Sequence, residues 1–216
     1  MDRSGMGWYR RGTFMAMLMA AAVLSAGPAA AGAQDSVNGA VHFVQDLADR
    51  AITTLTEDGI SEEEREQRTR ALLREGFAVH GIARFVLGRY WRSASEADRA
   101  EYLTLFEEVV VSVSAARVKR YSGQKFEITG ATPLRSARKD ESAALVHTTF
   151  YANEDSPIRL DWRVANRGEI FKITDVMFEG VSMATTYRDE FTSVVRREGL
   201  DGLLQDLREM RDQLDT

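Results

Sequence analysis

From Gln124 to Phe178 the chain alternates apolar and polar residues in successive short segments, and this restricts the fold more than any other feature. Side chains of an extended chain point to opposite faces in turn, so a period of two marks a strand with one buried face. Phe126, Ile128 and Gly130 alternate with Lys125, Glu127 and Thr129. Ala144, Val146, Thr148 and Phe150 alternate with Leu145, His147, Thr149 and Tyr151. Ile158, Leu160, Trp162 and Val164 interleave with Arg159, Asp161 and Arg163, the cleanest division into an apolar and a charged face. In the fourth segment Phe171, Ile173, Val176 and Phe178 have mixed parity. That predicts a strand covered on both faces or broken by a bulge near Thr174-Asp175. Asp140-Glu141, Asn153 to Pro157 and Asn166-Arg167-Gly168 supply turns, so the four strands are expected to form an antiparallel meander.

Helical periodicity flanks this block on both sides. Val41, Val44, Leu47, Ala48, Ala51, Ile52 and Leu55 recur at helical spacing, and Asp58-Gly59 ends that helix. Ser61 with Glu64 reads as a capping box. Glu62, Glu63, Glu64 and Glu66 follow in the first turns, where the helix dipole favours acids, and read as a solvated face. Leu72, Leu73 and Phe77 are that helix's buried end. His80 to Arg92 is densely apolar, with Leu87, Tyr90 and Trp91 candidates for core or a pocket rim. Ser95 and Asp98 cap a long helix from Glu96 to Tyr121. Its stripe is Tyr102, Phe106, Val109, Val113 and Ala116, with Leu105 and Val110 beside it and Glu101, Thr104, Glu107 and Glu108 mostly away. After the fourth strand, Gly180 makes a tight turn and Ser182 caps a helix carrying Met183, Tyr187, Phe191 and Val194 on one face. Beyond Gly199-Leu200-Asp201-Gly202, a last amphipathic helix shows Leu203, Leu204, Leu207, Met210 and Leu214. Helices before and after a meander make the class α+β, and a curved sheet wrapped by helices leaves room for a ligand.

The first 33 residues read as an export signal. Arg3, Arg10 and Arg11 precede an unbroken apolar run of 11 residues, Phe14 to Leu24. That run is too short to span a bilayer. Ala31-Gly32-Ala33 fits a cleavage site, leaving residues 34–216 as one expected domain in the periplasm. This mature part has 25 basic against 32 acidic residues, a net charge of −7. Such a balance argues against a nucleic-acid partner, which needs a basic footprint. There is no cysteine, hence no disulfide and no thiol nucleophile. His42, His80 and His147 show no metal-ligand spacing, and neither a nucleophile-elbow motif nor a Gly-rich phosphate loop is present. Nothing in the residues calls for a cofactor. A proton-transfer enzyme would draw on Asp175, Glu179, Asp161 and His147, with Asp175 as general base. A hydrogen-bonded structural carboxylate is the alternative for Asp175. A pure interaction module, with its pocket filled by side chains, is a third reading.

The segments VLGRYWRSASEADRAEYLTLFEE and YSGQKFEI, and above all TDVMFEGVSMATTYRDEF with GLDGLLQDL, resemble the MlaC / toluene-tolerance family. The likeness runs from about Phe43 to Leu207. It implies an NTF2-like fold, a curved four-stranded antiparallel sheet and helices around an apolar cavity. It implies a periplasmic phospholipid carrier, not an enzyme, with two acyl chains buried and the headgroup exposed. Its implied partners are an inner-membrane ABC complex of MCE type and an outer-membrane lipoprotein–porin complex. The implied role is maintenance of outer-membrane lipid asymmetry. A related branch accompanies hopanoid synthesis, and the residues do not separate the two. Phe171 stands where the family often has Trp, Thr174 where an aromatic is common, and Thr185-Thr186 where Asn is usual before Tyr187.

A carrier needs a dry cavity about as favourable as a bilayer interior, and charged groups inside it are costly. The expected lipid-binding residues are therefore apolar ones on inward strand faces and flanking helices. On the strands they are Val146, Phe150, Leu160, Trp162, Phe171, Ile173, Val176 and Phe178. Beyond the last strand they are Val181, Met183, Tyr187 and Phe191, and on the earlier helices Tyr90, Val110 and Val113. A cavity wall and a packed core use the same residue types, so sequence leaves the two open for each position.

Overall fold

The computed structural model describes residues 28–55, 57–118, 125–136, 140–151 and 157–214, with backbone alone at 28–33, 55 and 116–118. Of the expected export signal, residues 1–27 lie outside the described residues, and Pro28 to Ala33 form the first turns of a helix. The end of the long helix at Tyr121 and most of the turn between Asn153 and Pro157 also lie outside them.

The order is α1 (Pro28–Leu55), α2 (Glu62–Gly76), α3 (Val79–Leu87), α4 (Tyr90–Ser93), α5 (Glu96–Val118), β1 (Lys125–Leu134), β2 (Ser142–Tyr151), β3 (Pro157–Arg167), β4 (Ile170–Phe178), β5 (Val181–Ser182) and α6 (Met183–Leu214). The expected meander is present, with one correction. The sheet has five strands in sequential order rather than four, because Glu179 and Gly180 both adopt positive φ and fold Val181-Ser182 back onto β4. Two successive left-handed residues are the tight hairpin geometry that matches strand twist. On the same edge of β4, nearer its start, Phe77 bridges to Ile173 and Ala78 N–H donates to the Ile173 carbonyl at 2.9 Å.

The mixed parity of β4 is resolved by a bulge. Arg163 pairs with Asp175 and Val164 with Ile173, so Thr174 is the extra residue. Phe171, Ile173, Val176 and Phe178 thereby share the face of Leu160, Trp162 and Val164. A second irregularity lies between Ile128 and Gly130 in β1. Bulges bend the strands that carry them and increase local twist.

Caps set the helix starts. Ser61 Oγ accepts from Glu64 N–H at 3.1 Å. Ser95 and Asp98 cap reciprocally, with Asp98 N–H donating to Ser95 Oγ at 3.1 Å and Ser95 N–H to Asp98 Oδ2 at 3.3 Å. α6 is kinked at Gly199, whose φ of 76° suits glycine. Two apolar clusters result. In one, α1 lies on the sheet, joining Val37, Ala40, Val44 and Leu47 to Ala144, Val146, Val164 and Ile173. In the other, α3, α5 and α6 pack through Val86, Leu87, Tyr102, Leu105, Phe106, Leu203 and Leu204. Phe77 touches both. On α5 the fully buried positions include Val111 and Ala115, while Val113 is half-buried. Glu107, expected away from the buried stripe, is only 6% exposed, because Arg74 and Arg70 of α2 reach it at 2.8 and 3.3 Å.

Candidate functional site

A cavity of about 230 Å³ lies where α1 and α2 cross the sheet. α1 contributes Val44, Leu47, Ala48 and Ala51, and α2 contributes Thr69, Leu72 and Leu73. Phe77, Ser114, Trp162 and Ile173 complete the wall. No ionisable side chain lines it among the described residues. Thr69 spends its hydroxyl on the Arg65 carbonyl at 2.8 Å, the ordinary way a helical threonine satisfies itself. Trp162 is fixed by its Nε1–H, which donates to Thr148 Oγ1 at 3.0 Å. Thr148 in turn donates to the Leu160 carbonyl at 2.6 Å. Phe77 meets Trp162 edge-on, with ring centroids 6.4 Å apart. The polar side-chain atoms of Thr69 and Trp162 are thus tied to partners, and apart from the Ser114 hydroxyl the surface offered to a ligand is apolar.

Of the expected lipid-binding residues, Trp162 and Ile173 line this cavity. Val146 is fully buried in the adjoining cluster, and Phe171 and Val176 pack against it, with Phe171 stacked on Phe43 at 5.9 Å. Phe150 and Leu160 are half-buried farther along the same strands. Tyr90, Val110 and Phe191 belong to the other cluster, among α3, α5 and α6. Met183 is half-buried at the start of α6. Phe178, Val181 and Tyr187 are 46%, 55% and 41% exposed, outside the cavity. Phe178 and Val181 flank the β4–β5 turn at the sheet edge, so a shared face does not bring them under the helices. Sequence reasoning did not assign the α1 and α2 lining to a site. Helical spacing had marked Val44, Leu47, Ala48 and Ala51 as one face, but not which surface that face would close.

The carboxylates of the enzyme reading lie elsewhere. Asp175 points to the other face of the sheet, opposite Arg163. Its Oδ1 accepts from Ala184 N–H at 3.0 Å and its Oδ2 from Ser182 Oγ–H at 2.6 Å. Ser182 Oγ also accepts from Thr185 N–H at 3.1 Å. The pair together cap α6. Asp161 contacts His147 at 2.9 Å, and the other nitrogen of that imidazole lies 2.9 Å from Thr132 Oγ1. Asp161 and His147 face each other across β2 and β3 in the row of side chains opposite to Trp162. Glu179 Oε1 accepts from Arg159 N–H at 2.6 Å in the β4–β5 turn. No group of three or more metal-ligating side chains occurs among the described residues.

Comparison with known proteins agrees with this architecture. The family model for the MlaC protein matches residues 45–209. A curated relative from Haemophilus influenzae, the intermembrane phospholipid transport system binding protein MlaC, is 27% identical over 131 residues. That alignment covers 59% of this chain and 59% of the relative, so the match spans under two thirds of that protein's length. A phospholipid-binding protein from Ralstonia solanacearum, solved in complex with a phospholipid, superposes with a TM-score of 0.66 at 23% identity. The superposition covers 82% of this chain and 99% of that one, and establishes a common fold. With the family model matched along most of its length, the chain belongs to the MlaC protein family.

Proposed function

We propose that the protein binds a phospholipid by its acyl chains in the cavity beneath α1 and α2 and carries it between membranes. The observation that carries this reading is a cavity with no ionisable group in its wall. A carrier does not need to offset the whole cost of hydrating a lipid, since the lipid leaves one bilayer and enters another. It needs an interior as dry as the bilayer. Two relatives point the same way, one named for intermembrane phospholipid transport and one holding a phospholipid.

Size adds a mechanical requirement. A methylene occupies about the volume of a water molecule, so two chains totalling about 30 methylenes need on the order of 900 Å³. The cavity holds about 230 Å³. In this reading loading moves the α1–α2 wall off the sheet, and α2 is suited to moving because few of its residues are buried: Thr69, Leu73 and Gly76. In this reading residues 1–33 direct export and are removed. Residues 34–216 act as one lipid-binding domain in the periplasm. Loading and delivery occur at an inner-membrane ABC complex of MCE type and an outer-membrane lipoprotein–porin complex. No helix among the described residues is long and apolar enough to cross a membrane.

Native mass spectrometry of the protein from a periplasmic preparation, followed by lipid extraction, tests the proposal. One phospholipid per chain is the expected result. Ala51→Trp, which fills the cavity from α1, is expected to lower occupancy several-fold in a folded protein. A polycyclic lipid in place of phospholipid would change the substrate. A lipid-free mass with no uptake from liposomes would overturn the reading.

A further inference from the structure

Several arginines of this acidic chain sit beside carboxylates, as in Arg50 with Glu75, Arg68 with Glu57 and Arg208 with Glu101. Around α3, α4 and the first half of α6, where Arg197 is paired with Glu198, five others do not. Arg84, Arg89, Arg92, Arg188 and Arg196 make no ion pair with a carboxylate among the described residues. Several stack on aromatic rings instead. Arg84 lies 4.9 Å from the ring centre of Trp91, Arg89 4.8 Å from that of Tyr90, and Arg188 4.7 Å from that of Phe85. Arg89 also donates to the Tyr90 hydroxyl at 2.8 Å. That bond, with a smaller effect of Arg196, holds the phenol below its usual range. Arg188 lies against Gly88, where an added Cβ would come within 3.2 Å of its Nε. Arg84, Arg89, Arg188 and Arg196 therefore all lie against residues of the α3–α4 segment, Phe85 to Trp91.

This segment borders a second recess. A cleft of about 810 Å³ opens between α3 and the sheet face opposite to the lipid cavity. Ile82, Phe85 and Ile170 give it apolar walls, and Arg163, Arg167 and Lys172 line it together with Glu141 and the hydrogen-bonded Asp175, three cations against two carboxylates. Phe85 is 44% and Ile170 67% exposed. Arginine and aromatic side chains are the groups that dominate binding energy in protein interfaces, particularly beside a pocket that takes an apolar anchor. Guanidiniums already held over rings lose little freedom when a carboxylate arrives. We infer that the arginine face of α3, α4 and α6, with the adjoining cleft, docks an acidic protein segment that inserts an apolar side chain beside Phe85. Charge selects the partner: the face is positive on a chain of net charge −5. A bilayer surface fits less well. The rings of Tyr90 and Trp91 are half-buried beneath the guanidiniums, and the exposed Phe85 and Ile170 line a recess, which takes one inserted side chain more readily than a flat lipid surface.

The test is selection of short displayed peptides on the full-length mature protein, with Arg89→Glu/Arg188→Glu as the counter-target. Arg92→Glu serves as a milder variant, since Arg92 is exposed and makes no ring contact of the kind described. Enrichment of acidic peptides with one large apolar residue is expected. Their affinity should fall about tenfold or more in either variant and weaken with salt. Lipid content by native mass spectrometry should match the wild type, which separates this face from the cavity. Peptides without acidic bias, or affinity equal in wild type and both variants, would overturn the inference. So would vesicles of phosphatidylglycerol binding the wild type and not the variants while no peptide is enriched.

Discussion

Trp162 keeps its place in the cavity wall through a single hydrogen bond to Thr148, a residue with no exposed surface. Thr148→Val keeps the shape and removes the acceptor, leaving an indole N–H without its partner. The expected cost is about 1–2 kcal/mol in urea unfolding, with altered Trp fluorescence. An unchanged midpoint and spectrum would mean that the bond does not hold the ring. Asp175 offers a second test at this scale. As the cap of α6 its loss in Asp175→Ala is expected to destabilise the fold by about 1–2 kcal/mol while leaving lipid occupancy per folded chain unaltered. Occupancy lost without any loss of stability would assign Asp175 to the ligand instead. A hydrogen-bonded structural role for it was one reading of the sequence, but its expected place on a central strand is not met, since only the two-residue strand β5 lies beyond β4 in the sheet. Its orientation was not legible, because the bulge at Thr174 decides which face each later residue of β4 takes.

Among the elements, α2 is the one held mainly by charge. Arg50 of α1 makes two hydrogen bonds to Glu75, at 2.5 and 2.6 Å. Arg74 and Arg70 reach the buried Glu107 of α5. Lys172 of β4 donates to the carbonyls of Arg74 and Glu75 at the helix end. The hydrogen bond from Arg50 holds the Glu75 carboxyl below its usual range, with the Arg50 charge adding to it. A carboxylate whose folded pKa is lowered contributes stability above its unfolded pKa and loses it as pH falls through the folded value. The advantage of the wild type over Glu75→Gln should therefore be present near neutrality and vanish on acidification. It should be small, because the pair is solvent-screened. An equal difference at all pH values would count against the ion pair. If α2 moves during loading, joining Arg50→Cys and Glu75→Cys by a short thiol cross-linker should slow lipid exchange. The chain has no other cysteine to interfere. Exchange at the wild-type rate would place the opening elsewhere.

At the scale of the molecule, a ligand that binds the folded chain and not the unfolded one must raise apparent stability. Delipidated protein is expected to melt several degrees below the lipid-loaded form, and re-addition of phospholipid should restore the difference. Equal melting temperatures for the two forms would argue against a lipid held in the interior. The two apolar clusters meet at Phe77, and each has its own buried residues. The α3–α5–α6 cluster has its own buried centre at Tyr102, whose hydroxyl donates to the Ala83 carbonyl at 2.9 Å and whose burial pushes the phenol far above its usual range.

The period-two segments and the capping pairs Ser61–Glu64 and Ser95–Asp98 specified the α+β class and several element boundaries, and the mixed parity near Thr174 narrowed β4 to a bulge or cover on both faces. These depend on local geometry, which neighbouring residues determine by themselves. The family likeness was also legible, since it rests on residue order. What required the tertiary structure was every relation between elements distant in the chain. Only packing shows that Val44, Leu47 and Ala51 face Trp162 across a gap. Only packing shows that Glu107 is buried because Arg70 and Arg74 lie beside it. The same apolar residue serves as core, cavity wall or exposed edge according to what covers it. Phe178, on the face of Trp162 yet 46% exposed, shows that alternation determines a face but not its cover.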